Sequence, residues 1–382
     1  MRHENSVFHQ LTKHVPWNLF DQLVDKHKSD FRVRRLDSKS QFLALLFGQL
    51  SGAKSLREIE AGLKSHQARL YHVGAKCAAR STLADANAKR PWALFGDLFA
   101  QMVANANRST RRKMGDATRI LDATTISLSN LSIDWARCRN NTSAIKVHVV
   151  YDPDNAIPCK AVITPENVND ITPAKDLKLE AGSTYVFDLG YYSYAWWAKL
   201  DASNCRFVTR LKRNTPIIEI KRLAVQSGSD ILSDMIGYLP KRQSRSRKNP
   251  MAKPVREITV RISTGKIIRL VTNDLKAPSR EIADLYKQRW QIELFFKWIK
   301  QNLKIKHFLG VSQNAVRIQL FVALIAYLLL RRAHENQKTV KQHITFMVLI
   351  RLNIMHIRPI NTLNKPPTKP PQNTNQITMD WV

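Results

Sequence analysis

The sequence predicts an α/β protein with a mixed-sheet core, an all-helical N-terminal region ahead of it and further helices behind. Three observations predict it. The hydrophobic period changes from helical to alternating near residue 118. One apolar strand is interrupted by an aspartate, Asp122, and a second ends on one, Asp188, where a turn residue is the plainer explanation. A long helix-forming stretch, Tyr286 to Lys300 (YKQRWQIELFFKWIK), sets one glutamate, Glu293, among a phenol, a guanidinium and an ammonium.

Composition sets the limits. The chain has 382 residues, 44% of them apolar, enough for two or three domains with real cores. Its net charge of +31 points to a polyanionic partner, with nucleic acid ahead of an anionic membrane. Met1-Arg-His-Glu is followed by no apolar run, so no signal peptide is expected. The longest apolar run, Leu320 to Leu330, is about half of what spans a bilayer and is expected to be a buried helix. Four cysteines stand singly at positions 77, 138, 159 and 205, which fits a reducing cytoplasm and no zinc ribbon.

Residues 1–110 read as helix. Ser38 precedes the run Phe42 to Leu50, which Gly52 breaks; Ser55 and Glu58 form a capping box for Leu56 to His66. Ser81 is expected to cap a short helix, and Pro91 occupies a first-turn position before Trp92 to Val103. A helix-turn-helix DNA reader and a plain helical bundle both fit. Arg32, Arg34, Arg35, Lys54, Lys64, Arg69, Lys76 and Arg80 favour DNA. Asn107 to Lys113 reads as an exposed basic linker.

Residues 114–211 then alternate. Thr118–Leu128, Ala144–Asp152 and Ile157–Thr164 are strands close enough to form an antiparallel meander. Helical stretches near Thr172–Glu180 and Tyr191–Asp201 separate two more strands, Thr184–Asp188 and Cys205–Leu211. The order β-β-β-α-β-α-β is that of a ribonuclease-H-like core. Its fourth strand, returning by a helical crossover, lies parallel to the first. Asp122 and Asp188 are thereby expected on one edge, where a helix carrying Glu293 can join them. Three clustered carboxylates repel one another unless cations intervene, and hard oxygen ligands suit two Mg2+ or Mn2+ ions. Ions about 3.5–4 Å apart stabilise the attacking and leaving oxygens of phosphoryl transfer.

On a continuous helix, Tyr286, Arg289, Glu293 and Lys300 fall within an arc of roughly 60°. A surface stripe of ion pairs is the plainer explanation of that pattern. The two upstream aspartates favour a site. Asp122 in LDATTI, Asp188 in DLGYY and the Y-x2-R-x3-E-x6-K spacing together resemble the DDE transposases of bacterial insertion sequences, with the four-residue signature of insertion-sequence family 4. The resemblance runs from about Thr118 to Leu330, and the helical N-terminal region is also similar.

The resemblance implies cut-and-paste transposition. Metal-activated water cuts the element's ends, and the freed 3′-OH attacks target DNA. It also implies a homodimer on paired double-stranded DNA ends, in the bacterial cytoplasm and associated with the nucleoid, with no membrane role. Asp122, Asp188 and Glu293 are then the catalytic metal ligands. Arg289 and Lys300 hold phosphates, Tyr286 bonds a neighbouring backbone oxygen, and Tyr191 packs against the DNA end.

The long gap between Asp188 and Glu293 exceeds one loop, so residues 212–275 are assigned to an inserted β-rich subdomain and 276–358 to the closing helices. Within the insertion, Lys241, Arg242, Arg245, Arg247 and Lys248 form a basic tract read as a phosphate contact. Relatives that seal their ends as hairpins place a Trp in this insertion. Here no Trp lies between Asn214 and Asp274, so either Tyr238 substitutes or that step is absent. Trp196 and Trp197 are expected in the core, and an alternating strand explains Lys146 and His148 nearly as well as a site does. Residues 359–382 are expected to be disordered. A metal-dependent DNA nuclease and a non-catalytic DNA-binding protein of the same fold are the alternatives.

Overall fold

The computed structural model describes residues 5–110, 117–136, 143–244, 247–303, 305 and 308–366. The chain begins with helices α1 (Val7–Thr12), α2 (Trp17–Lys26), α3 (Ser38–Ser51), α4 (Leu56–Ser65), α5 (Gln67–Leu70), α6 (Arg80–Lys89) and α7 (Ala93–Thr110). Asp37 caps α3 by accepting from the Ser40 amide at 2.6 Å, and Gly52 ends it at φ 82°. Ser55 accepts from the Glu58 amide as expected, while the Glu58 carboxylate bonds back to Lys54 rather than to Ser55. Ser81 is no cap: α6 starts one residue earlier. The expected basic linker is helical as far as Thr110, and its residues 111–113 lie outside the described residues.

The predicted meander forms from β1 (Thr118–Ser127), β2 (Ala144–Asp152) and β3 (Ile157–Pro165), with the short α8 (Ile133–Ala136) between the first two. After α9 (Ile171–Lys175), β4 (Thr184–Phe187) pairs parallel to β1; after α10 (Tyr194–Ala202), β5 (Arg206–Arg210) pairs parallel to β4. The order β3-β2-β1-β4-β5 is that of the predicted core.

Next come β6 (Ile218–Arg222), β7 (Ile231–Tyr238), β8 (Arg242–Ser244), β9 (Arg247–Lys248), β10 (Val255–Arg261) and β11 (Ile267–Thr272). Here the structure departs from the expected separate subdomain. β11 adds antiparallel to β5, and β10, β7 and β6 follow, so one nine-stranded sheet runs through core and insertion. An uncovered β5 edge would leave a row of unpaired backbone groups, which β11 satisfies. Among the described residues only β8 and β9 stand apart, as a two-stranded hairpin. Inside the extension, Arg256 of β10 makes a bidentate bond at 2.6 and 2.8 Å to Asp234 of β7, both side chains at most 5% exposed.

The chain closes with α11 (Ser279–Gln288), α12 (Trp290–Asn302), α13 (Gln313–Glu335) and α14 (His343–Asn353). Helix α13 is long and apolar enough to cross a membrane, yet 83% of its apolar window is buried inside the protein. It packs on α3, α7 and β3, with Phe321 stacked on Trp92 at 5.6 Å and the Tyr327 hydroxyl donating to Ala156 O at 2.7 Å. The N-terminal helices thus share one core with the C-terminal ones instead of forming a body of their own. The expected disordered tail is ordered at its start. Leu363 is buried, and Gln10 bonds both Arg358 O and the Ile360 amide; residues 367–382 lie outside the described residues.

The Asp234–Arg256 pair supports a stability test. Asp234→Ala leaves a buried guanidinium without its partner and is expected to cost about 3–5 kcal/mol, measured by urea unfolding. Replacing both residues by apolar ones of similar volume is expected to cost far less.

Candidate active site

The parallel register of β1 and β4 runs to Leu121 opposite Phe187. The next residue on each strand is an aspartate, so Asp122 and Asp188 stand side by side where the two strands part. Each commits one oxygen to backbone: Asp122 Oδ1 accepts from the Ala123 amide at 2.7 Å, and Asp188 Oδ1 from the Gly190 amide at 2.8 Å. Glu293 arrives on the first turn of α12. The Arg289 guanidinium lies between, with Nη2 2.5 Å from Glu293 Oε1 and Nη1 3.4 Å from Asp122 Oδ2.

Electrostatics records the convergence. The Asp122 carboxyl is pushed up to about 7, first by burial and further by the charges of Asp188 and Glu293. The Ala123 amide and Arg289 pull the other way without cancelling the shift. Asp188 and Glu293 therefore lie within electrostatic reach of Asp122.

The expected continuous helix is broken. Arg289 ends α11 and precedes α12, and the turn tightens into three-residue bonds, Arg289 N to Tyr286 O at 3.1 Å and Ile292 N to Arg289 O at 3.3 Å. Tyr286 thus lies on one helix and Glu293 and Lys300 on the next, with Arg289 at the joint. Its guanidinium still sits over the Tyr286 ring at 5.9 Å. The Tyr286 hydroxyl is buried and raised in pKa, mainly by that burial. Lys300 Nζ donates to Thr125 O at 2.8 Å, three residues beyond Asp122 on β1.

Tyr191 is a correction. Only 2% exposed, it packs on Phe187 at 5.9 Å and offers a DNA end almost no surface. Its hydroxyl is raised well above its usual range by burial, and then by Asp122, Asp170 and Asp188. Trp196 and Trp197 are core residues, as expected. Tyr238 on β7 is 43% exposed. In the basic tract Arg242 pairs across the hairpin with Lys248, like charges face to face, and Lys241, Arg242 and Lys248 are exposed. Arg245 and the side chain of Arg247 lie outside the described residues.

The donor set fits a hard divalent cation. It offers carboxylate oxygens, with the Asp122 carboxyl pushed up to about 7 by burial first and by its acidic neighbours second. As the side chains stand, among the described residues no three His, Cys, Asp or Glu form a cage around one ion. Arg289 separates two of the acids, and its buried Nε has no hydrogen-bond partner among the described residues. A cation between the acids therefore requires the guanidinium to withdraw.

One acid escaped the sequence. Nothing in the linear pattern links Asp170, in Asn-Asp-Ile-Thr-Pro, to Asp188. In the structure it lies beside Gly190 and forms an ion pair with Lys146 at 2.9 Å.

Residues 113–329 match the family described as the transposase DDE domain, and residues 3–76 match a domain of unknown function. A putative transposase, y4zB, of Sinorhizobium fredii is 40% identical over 75% of this chain and 80% of its own length. The probable transposase for insertion sequence element IS5377 of Geobacillus stearothermophilus is 31% identical over 68% of each chain. The putative transposase for element IS4SA of Synechocystis is 26% identical over 66% of this chain and 70% of its own. With the DDE domain spanning more than half of its length, and its acids brought to one edge of a mixed sheet, the chain belongs to the DDE transposases of bacterial insertion sequences.

Proposed function

We propose that this transposase cuts the ends of its own element and joins the 3′-OH ends to target DNA at the pocket of Asp122, Asp188 and Glu293. The observation that supports the reading most directly is the placement of Asp122 and Asp188 where β1 and β4 part, with Arg289 paired to both Asp122 and Glu293. Asp122, Asp188 and Glu293 would hold the cofactor, two Mg2+ or Mn2+ ions. When bound, such ions activate water and neutralise charge on the phosphate.

The remaining steps belong to the side chains. Arg289, released from Asp122 and Glu293, is within reach of a phosphate oxygen beside the cut. Lys300, at the Thr125 edge of β1, holds the next phosphate, and Tyr286 supports the guanidinium from below. Lys241, Arg242 and Lys248, with Arg245 and Arg247 of the same tract, grip the DNA backbone further out. Tyr238 is the exposed aromatic of residues 212–275 placed to stack on a base if the ends are sealed as hairpins. The N-terminal helices read element DNA, and two copies pair the two ends in the bacterial cytoplasm.

Strand transfer with labelled DNA carrying the element's ends tests this. Asp188→Asn and Glu293→Gln are each expected to abolish cutting in Mg2+ while the gel-shifted complex persists; retained cutting removes the site assignment. Cutting without joining by the unaltered protein identifies a nuclease, and a shift with neither identifies a DNA binder.

Salt dependence tests the basic hairpin. Changing Lys241, Arg242 and Lys248 to Gln is expected to flatten the slope of log affinity against log salt by about 0.9 for each phosphate that is no longer neutralised. An unchanged slope shows that the hairpin does not touch DNA.

A further inference from the structure

A fourth carboxylate reaches the acidic pocket from the other face of the sheet. The β1–β2 register sets His148 opposite Ala123 and Lys146 opposite Thr125. Both side chains therefore project on the face away from Asp122. There Lys146 Nζ donates to Val168 O at 2.9 Å and lies 2.9 Å from Asp170 Oδ1, tying residues 168–170 to β2 at two points. His148 Nδ1 lies 3.9 Å from the same oxygen; its side chain is 7% exposed, and this nitrogen has no hydrogen-bond partner among the described residues.

Asp170 stands at the N-cap position of α9 but accepts no amide hydrogen from that helix, so capping does not explain it. Nor is it a loose surface ion pair, since Lys146 and Asp170 are 18% and 27% exposed. Its second oxygen lies against Gly190. A Cβ at that glycine would sit 2.9 Å from Asp170 Oδ2 and 3.0 Å from Asp188 Oδ1, so the bare Cα is enclosed between two carboxylates. The same glycine's amide donates to Asp188 Oδ1.

We propose that Asp170 is a positioning residue of the acidic site. Anchored by Lys146, it confines Gly190 and so holds the amide that fixes Asp188 Oδ1, leaving Asp188 Oδ2 for the cation. This rests on the reading of Asp188 as a metal ligand.

Titration of the intact chain with Mn2+ alone, followed by calorimetry without DNA, separates positioning from simple charge. Asp170→Asn is expected to weaken Mn2+ binding about 10-fold with an unchanged unfolding midpoint. Gly190→Ala is expected to act in the same direction, because its new methyl group displaces both carboxylates. Lys146→Met is the decisive variant. It removes a positive charge near the acids, so a purely electrostatic role for Asp170 predicts tighter Mn2+ binding, whereas loss of the anchor predicts weaker binding. Tighter binding by Lys146→Met, or unaltered binding by Asp170→Asn, overturns the proposal. Asp188→Asn serves as the reference and is expected to lose Mn2+ binding. If it does not, the metal-ligand reading itself fails, a result distinct from failure of Asp170 alone.

Discussion

The burial of Asp122 beside two further carboxylates is the constraint on which the rest of this site depends. Burial alone makes an ionised carboxylate costly, and two acidic neighbours add to that cost. Arg289 offsets part of it, but one guanidinium carries one positive charge against three acids. The Asp122 carboxyl, near 7 despite an amide bond and the arginine, shows how incomplete that compensation is. The pocket is thus prepared for a more highly charged cation.

The fold explains how such a pocket is held open. Asp122 and Asp188 are fixed by strand register, and strands buried on both faces have little freedom to move apart. Glu293 is fixed less directly, through α12. That helix is braced by Phe295, whose ring lies 5.2 Å from Tyr151 of β2 and 5.0 Å from Tyr327 of α13. Because α13 is also the common core of the N-terminal helices, the helical region, the sheet and the acidic edge are mechanically one unit.

The two aspartates were legible because a strand leaves a polar interruption in plain view, and because parallel pairing of the first and fourth strands follows from connection rules. Glu293 was legible through spacing with Arg289 and Lys300. The break at Arg289 was not, since the stretch contains no Pro or Gly and Arg289 keeps helical dihedrals while the hydrogen bonding tightens around it. The single sheet was hidden for a related reason: the apolar alternation of β11 announces a strand but not which edge it joins. Tyr191 looked available because it follows a catalytic motif, whereas the aromatic packing of Phe187, Tyr191 and Trp197 decides its burial. Asp170 carried no signal because its meaning depends on a glycine twenty residues later, and a glycine's missing side chain shows only in three dimensions.

The charge of the whole chain and the charge of the site have opposite signs, and the opposition has a physical use. A net charge of +31 attracts a phosphate backbone at long range and orients it on exposed basic surface. At the pocket the local field is acidic and repels a phosphate arriving without a cation. Under the proposed function, a divalent ion between Asp122 and Glu293 would take the place that the Arg289 guanidinium holds, and a scissile phosphate would approach the acids only then. Arg289, no longer paired with the acids, would then be free to meet the phosphate. On that reading one side chain would link occupancy of the site to the grip on the substrate.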